Sequence, residues 1–152
     1  MMDDRPILLV EDNANDEALT LRAFRKNNIP CPVTVARDGA EALQSLFGDG
    51  SAGHALPSLI VLDLKLPKLD GLEVLDRIRA DERTRLIPVV ILTSSREQED
   101  ILAGYQGGAS AYVRKPVNFA EFTRAASTIG VFWLLLAEPT PEAPPAPAGE
   151  SP

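Results

Sequence analysis

The chain has 152 residues, 45% of them hydrophobic, and its 22 acidic against 15 basic side chains give a net charge of −7. That length supports one core and one domain, and the acidic balance argues against a nucleic-acid partner, because binding a phosphate backbone draws on clustered Lys and Arg. One cysteine, Cys31, and one histidine, His54, supply neither an internal disulfide nor an N/S metal cage. The N-terminal MMDD is acidic and precedes an apolar run too short for a signal-peptide core, and the longest apolar stretch, Ile129 to Ala137, is under half of a bilayer span. A soluble cytoplasmic protein without membrane contact is expected.

In chain order, five short apolar runs appear: PILLV at 6–10, PVTVA at 32–36, SLIVL at 58–62, PVVIL at 88–92 and SAYV at 110–113. Three of them are continuous rather than alternating, as strands covered on both faces read. Helical spacing fills the intervals. The first helix carries Ala14, Ala18, Leu21 and Phe24 on an i, i+4, i+7, i+10 track, with Asp16, Glu17, Arg22 and Arg25 around them. Further helices are predicted at about Ala40 to Phe47, Leu72 to Asp81, Glu97 to Gly104 and Phe119 to Leu136. Strand and helix alternate five times, which predicts an α/β fold: a doubly wound, five-stranded parallel sheet with right-handed crossovers and helices on both faces. GDGSAGHALP at 48–57 reads as a surface loop. Residues 1–138 form the expected domain; in 139–152 six of fourteen residues are proline, which predicts a disordered, extended tail.

In an open parallel sheet the ligand site lies at the carboxyl ends of the strands. Glu11 and Asp12 follow the first run, Asp63 the third, Thr93, Ser94 and Ser95 the fourth, and Lys115 the fifth. One polar residue after a strand is unremarkable; four strands of five delivering one at the same end form a pattern. Glu11, Asp12 and Asp63 in one crevice would raise one another's pKa, and a cation resolves this. All-oxygen ligands suit Mg²⁺ or Mn²⁺. A metal beside a carboxylate invites phosphoryl chemistry, with Asp63 as nucleophile, Lys115 pairing with phosphoryl oxygens and the Thr93 hydroxyl donating to one of them.

These residues resemble the receiver domain of bacterial two-component response regulators over about residues 5 to 130. The steps of 30 residues from Asp63 to Thr93 and 22 from Thr93 to Lys115 fit that family, as does the LPKLDG turn at Leu66 to Gly71. The resemblance implies a flavodoxin-like strand order, 2-1-3-4-5, and phosphotransfer from a histidine kinase to Asp63. It also implies Mg²⁺ held by Asp12 and Asp63 with Glu11 close by and the Lys65 carbonyl as a further ligand, and a cis Lys115–Pro116 bond aiming Lys115 into the site. In the implied switch, Thr93 moves toward the phosphoryl group and Tyr112 turns inward. Two positions depart from the family: Lys65 places a long cationic side chain near the acceptor, and the small Ser94 leaves the pocket open.

No second domain is expected, hence no DNA-binding output. On the predicted last helix Phe119, Phe122, Ala126, Ile129, Trp133 and Leu136 form one stripe, while Val131, Phe132, Leu134 and Leu135 fall on other faces. An apolar helix end of that kind needs a cover, and a homodimer contact through Phe132, Trp133 and Leu135 is expected. The long first helix, EDNANDE, the 48–57 loop and FWLLLAEP are also similar to the stand-alone receivers paired with bacterial phytochrome histidine kinases. An end-point regulator, a phosphate sink and a phosphorelay shuttle stay open. A phosphatase with a strand-end Asp nucleophile is disfavoured because Lys65 stands where its general acid should be, and a nucleotide-binding unit because no G-x-G-x-x-G follows the first run. A pseudo-receiver, keeping the fold without phosphotransfer, would not need so complete a set of acids, hydroxyl and lysine.

Overall fold

Three of the apolar runs open on proline, and each becomes a strand one residue later. The strands are β1 (Ile7–Val10), β2 (Val33–Ala36), β3 (Leu59–Leu62), β4 (Val89–Thr93) and β5 (Ala111–Arg114). Proline lacks the N–H a ladder needs but keeps its carbonyl, so it serves at the strand entrance. Ile7 N donates to Pro32 O at 2.9 Å, Ser58 N to Pro6 O at 2.9 Å and Ile60 N to Pro88 O at 3.0 Å. The computed structural model describes residues 5–27, 32–48, 56–66, 69–93 and 98–115, with Ala120, Thr123, Arg124 and Ser127.

The strands form one parallel sheet in the order β2-β1-β3-β4-β5. The central β1, β3 and β4 are buried along their whole length, whereas β2 and β5, at the edges, are only partly covered. Alternate residues sort onto two faces. Leu8, Val10, Ile60, Leu62, Val89 and Ile91 pack with α2 (Gly39–Phe47) and α3 (Gly71–Ala80). Ile7, Leu9, Leu59, Val61, Val90 and Leu92 pack on α1 (Ala14–Lys26). A fourth helix, α4 (Gln98–Gln106), lies beside β5 and α3, with Gly104 so close to Ile91 that an added Cβ would stand 2.8 Å from its Cδ1.

The buried face of α1 differs from the predicted track. Ala14 and Ala18 are exposed, and Thr20, Ala23 and Phe24 are buried. The physical reason is that the Thr20 hydroxyl donates to Asp16 O at 2.7 Å, which satisfies it inside the helix and lets a polar residue occupy the sheet-facing side. Asn27 at the other end donates its side-chain amide to Ala23 O at 2.9 Å and Thr123 O at 3.0 Å. Of the predicted last helix, Ala120, Thr123, Arg124 and Ser127 are helical. Its apolar ending, with Phe132, Trp133 and Leu135, lies outside the described residues, as do 49–55 of the predicted loop and the whole 139–152 tail.

Candidate functional site

With β1 flanked by β2 and β3, the chain direction along the sheet reverses at the β1/β3 boundary, and a crevice opens there beyond the carboxyl ends of the strands. Glu11 is placed by its N–H donating to Ala36 O at 2.9 Å, and Asp63 by its N–H donating to Val10 O at 3.1 Å. Lys115 is held against β4 by its N–H donating to Thr93 O at 2.7 Å. These three ladder extensions bring Glu11, Asp63 and Lys115 beside Thr93 at the end of β4, although each comes from a different strand.

Asp63 is 4% exposed and both of its carboxylate oxygens are engaged. Oδ1 accepts from the Thr93 hydroxyl at 2.6 Å and from Lys65 N–H at 3.1 Å. Oδ2 accepts from Lys115 Nζ at 2.9 Å. The same ammonium donates to Glu11, with Oε1 at 2.8 Å and Oε2 at 2.9 Å, and to Asp16 Oδ2 at 2.8 Å. Desolvation pushes the Glu11 carboxyl up to about 7, against the pull of Lys115 and with the help of the neighbouring Asp63 charge. Burial pulls the Lys115 ammonium down, but its hydrogen bonds to Asp16, Glu11 and Asp63 outweigh this and leave its pKa raised.

Glycine at position 71 is required by the same crevice. A Cβ there would lie 2.3 Å from Asp63 O and 2.6 Å from Leu64 Cα, so the first turn of α3 closes directly on the backbone of the acceptor loop. Gly71 N donates to Leu64 O at 3.0 Å and locks that approach.

Carboxylate oxygens of Glu11, Asp12 and Asp63 lie within 4.8 Å of one another. Glu11 and Asp63 are buried, and Asp12 is exposed at the mouth. This donor set fits a hard divalent cation: the ligands are all oxygen, and among the described contacts one ammonium faces Glu11, Asp16 and Asp63 together, an excess of negative charge.

Of the sequence-predicted residues, the structure brings together Glu11, Asp12, Asp63, Thr93 and Lys115. Lys65 reaches the site through its backbone N–H, and its side chain is exposed. Tyr112 is half-buried on β5, its ring 6.2 Å from that of Tyr105 and tilted by 39°. Ser94 and Pro116 lie outside the described residues. Asp16 was read as polar surface, yet it is a direct partner of Lys115. Its signal was present: Asn13 caps α1 by accepting from Asp16 N–H at 2.9 Å, which marks Asp16 as the third residue of a helix starting just beyond β1.

Known proteins are similar to this chain in sequence and fold. The regulatory protein FilR2 of Methanothrix harundinacea, assigned a probable role in methanogenesis, is 41% identical over 84% of this chain and 83% of its own length. Response regulator Rcp1 of Synechocystis sp. is 36% identical over 84% of this chain and 88% of its own; its Mn²⁺-bound crystal structure superposes with a TM-score of 0.78, at 34% identity, over 95% of this chain and 99% of that one. The phosphorylated cyanobacterial phytochrome response regulator RcpA superposes with a TM-score of 0.82, at 38% identity, over 90% of this chain and 98% of that one. The family model for the response regulator receiver domain runs from residue 7 to 127, through every strand and every residue of the crevice, and the chain belongs to that family.

Proposed function

We propose that this response regulator accepts a phosphoryl group on Asp63 from the phosphohistidine of a histidine kinase. The observation that carries the reading is the Asp63 carboxylate: buried, ordered on one oxygen by Thr93 and Lys65 N–H, and neutralised on the other by Lys115. In transfer, an Asp63 oxygen forms the new O–P bond as the donor's P–N bond breaks, and the electron pair returns to the imidazole. Lys115 and the Thr93 hydroxyl then face phosphoryl oxygens in place of carboxylate oxygens. Glu11, Asp12, Asp63 and the Lys65 carbonyl would hold Mg²⁺ or Mn²⁺, which when bound supplies charge neutralisation to the transferring group. Ser94 and Tyr112 belong to the proposed switch beside Thr93, and the cis bond before Pro116 to the placement of Lys115.

A phytochrome kinase is the proposed input; the support is that RcpA is a phytochrome response regulator. A cytoplasmic location belongs to the same proposal, because that is where a histidine kinase would present its phosphohistidine. No helix among the described residues is long and apolar enough to cross a membrane. Signalling through its own surface, without nucleic acid, and homodimerisation through Phe132, Trp133 and Leu135 complete the reading, with self-dephosphorylation as its chemical off-step. The apolar run around Trp133 in the sequence supports the dimer. The test is intact mass after incubation with a small acyl phosphate and Mg²⁺. One phosphoryl group is expected on the wild type and none on Asp63→Asn or with chelator; labelling that survives Asp63→Asn would overturn the assignment.

A further inference from the structure

We propose that Asp16 is a positioning residue for Lys115, anchoring its ammonium while that group exchanges Asp63 for an incoming phosphoryl oxygen. The proposal rests on the phosphoacceptor reading of Asp63. An ammonium has three N–H donors, and here they meet three carboxylates: Glu11, Asp16 and Asp63. For Lys115 to hold a phosphoryl oxygen, its bond to Asp63 Oδ2 must be given up. Glu11 belongs to the carboxylate cluster that fits a cation, so its oxygens are shared. Asp16 lies outside that cluster and keeps its contact throughout.

Asp16 is built for an anchor. Its N–H donates to Asn13 Oδ1 at 2.9 Å and its carbonyl accepts from the Thr20 hydroxyl at 2.7 Å, so the backbone beneath it is fixed in the first turn of α1. Its contact with Lys115 is a selected one, because the next acid, Glu17, turns instead to Arg37 at 3.0 Å. The Lys115 side chain is only 6% exposed and that of Asp16 28%, which sets this pair apart from a solvent-screened surface bridge. Once Asp63 lets go, the flexible four-carbon stem keeps its contacts with Glu11, which the cation cluster shares, and with Asp16, which it does not. The anchor also ties α1 to the end of β5, elements that share no sequence neighbourhood.

The experiment measures phosphoryl uptake from acetyl phosphate with Mg²⁺ by intact mass. In that step the Asp63 oxygen bonds to phosphorus as the donor's P–O bond breaks and the electron pair leaves with acetate, with no proton required. Asp16→Asn is expected to slow uptake on the order of tenfold, the usual scale for losing one charge-assisted hydrogen bond at a reacting site. Asp16→Glu is expected to restore most of the rate. The Lys115 side-chain ¹⁵N resonance, visible when hydrogen bonds slow proton exchange, should be lost in Asp16→Asn and return in Asp16→Glu, a change that a merely structural role would not produce. If Asp16→Asn does not fold, Asp16→Gln against Asp16→Glu gives the same contrast of charge at equal length. A wild type that takes up no phosphoryl group overturns the Asp63 reading and this inference with it. A labelled wild type with Asp16→Asn equally fast or faster overturns the anchor alone, and so does slower uptake with an unchanged Lys115 resonance.

Discussion

Glu11 makes the stability of the metal-free protein depend on pH in an unusual direction. Its carboxyl is 1% exposed and its pKa is pushed up to about 7 from an ordinary 4.5, burial being the main cause. Between those two values the folded chain holds a proton that the unfolded chain has released. Stability from this group is therefore complete below pH 4.5 and is lost as pH rises through 7. At about 1.4 kcal/mol per pH unit, the interval from 4.5 to about 7 amounts to about 3 kcal/mol. Two other shifted groups act outside this window: the raised pKa of Lys115 acts above 10.5, and the depressed pKa of Asp81, lowered by its hydrogen bonds from Arg83, acts below 3.8. Urea unfolding in chelator at intervals from pH 4.5 to 8 should show the wild type weakening and Glu11→Gln staying nearly level across the same window, with equal m-values. Parallel profiles for the two proteins would refute the assignment of the effect to Glu11. Added Mg²⁺ should stabilise the wild type more at pH 8 than at pH 5, because protons and metal compete for the same oxygen atoms.

Three further outcomes follow from single contacts. Gly71→Ala places a methyl group 2.3 Å from Asp63 O, so the backbone must move; a stability loss of about 1–3 kcal/mol in urea unfolding and slower phosphoryl uptake are expected together. Asp12→Ala removes one of the three clustered carboxylates, and calorimetry should show Mg²⁺ affinity falling by at least the ~10–100-fold that losing an outer-shell partner costs. Arg79 donates to Gly108 O at 2.9 Å, Arg85 O at 3.0 Å and Ile87 O at 2.6 Å, tying the end of α3 to the segment before β4 and to the turn before β5. Arg79→Ala should cost about 1–3 kcal/mol of stability by urea unfolding while leaving metal affinity unchanged, since none of these carbonyls lies in the carboxylate crevice.

What the sequence determined by itself was local and periodic. Continuous apolar runs marked β1, β3 and β4 as strands buried on both sides. Glu11, Asp12, Asp63, Thr93 and Lys115 were legible because a parallel sheet sends all its strand ends to one side. Strand order was not: crossovers of similar length serve several orders, and 2-1-3-4-5 entered through family resemblance before the pairings of β1 with β2 and β3, of β3 with β4 and of β4 with β5 established it. The buried side of α1 was decided by tertiary contact as well, since spacing favoured Ala14 and Ala18 while a hydroxyl satisfied within its own helix let Thr20 turn inward. Asp16 shows the limit most clearly. Its place in the first turn of α1 can be read from its cap, but its meeting with Lys115, 99 residues away, exists only once the sheet has brought the end of β5 beside the start of α1. Period and capping report which way a side chain leaves the backbone; which distant charge it finds there depends on the packed neighbours, and the low dielectric of that packing gives the encounter its strength.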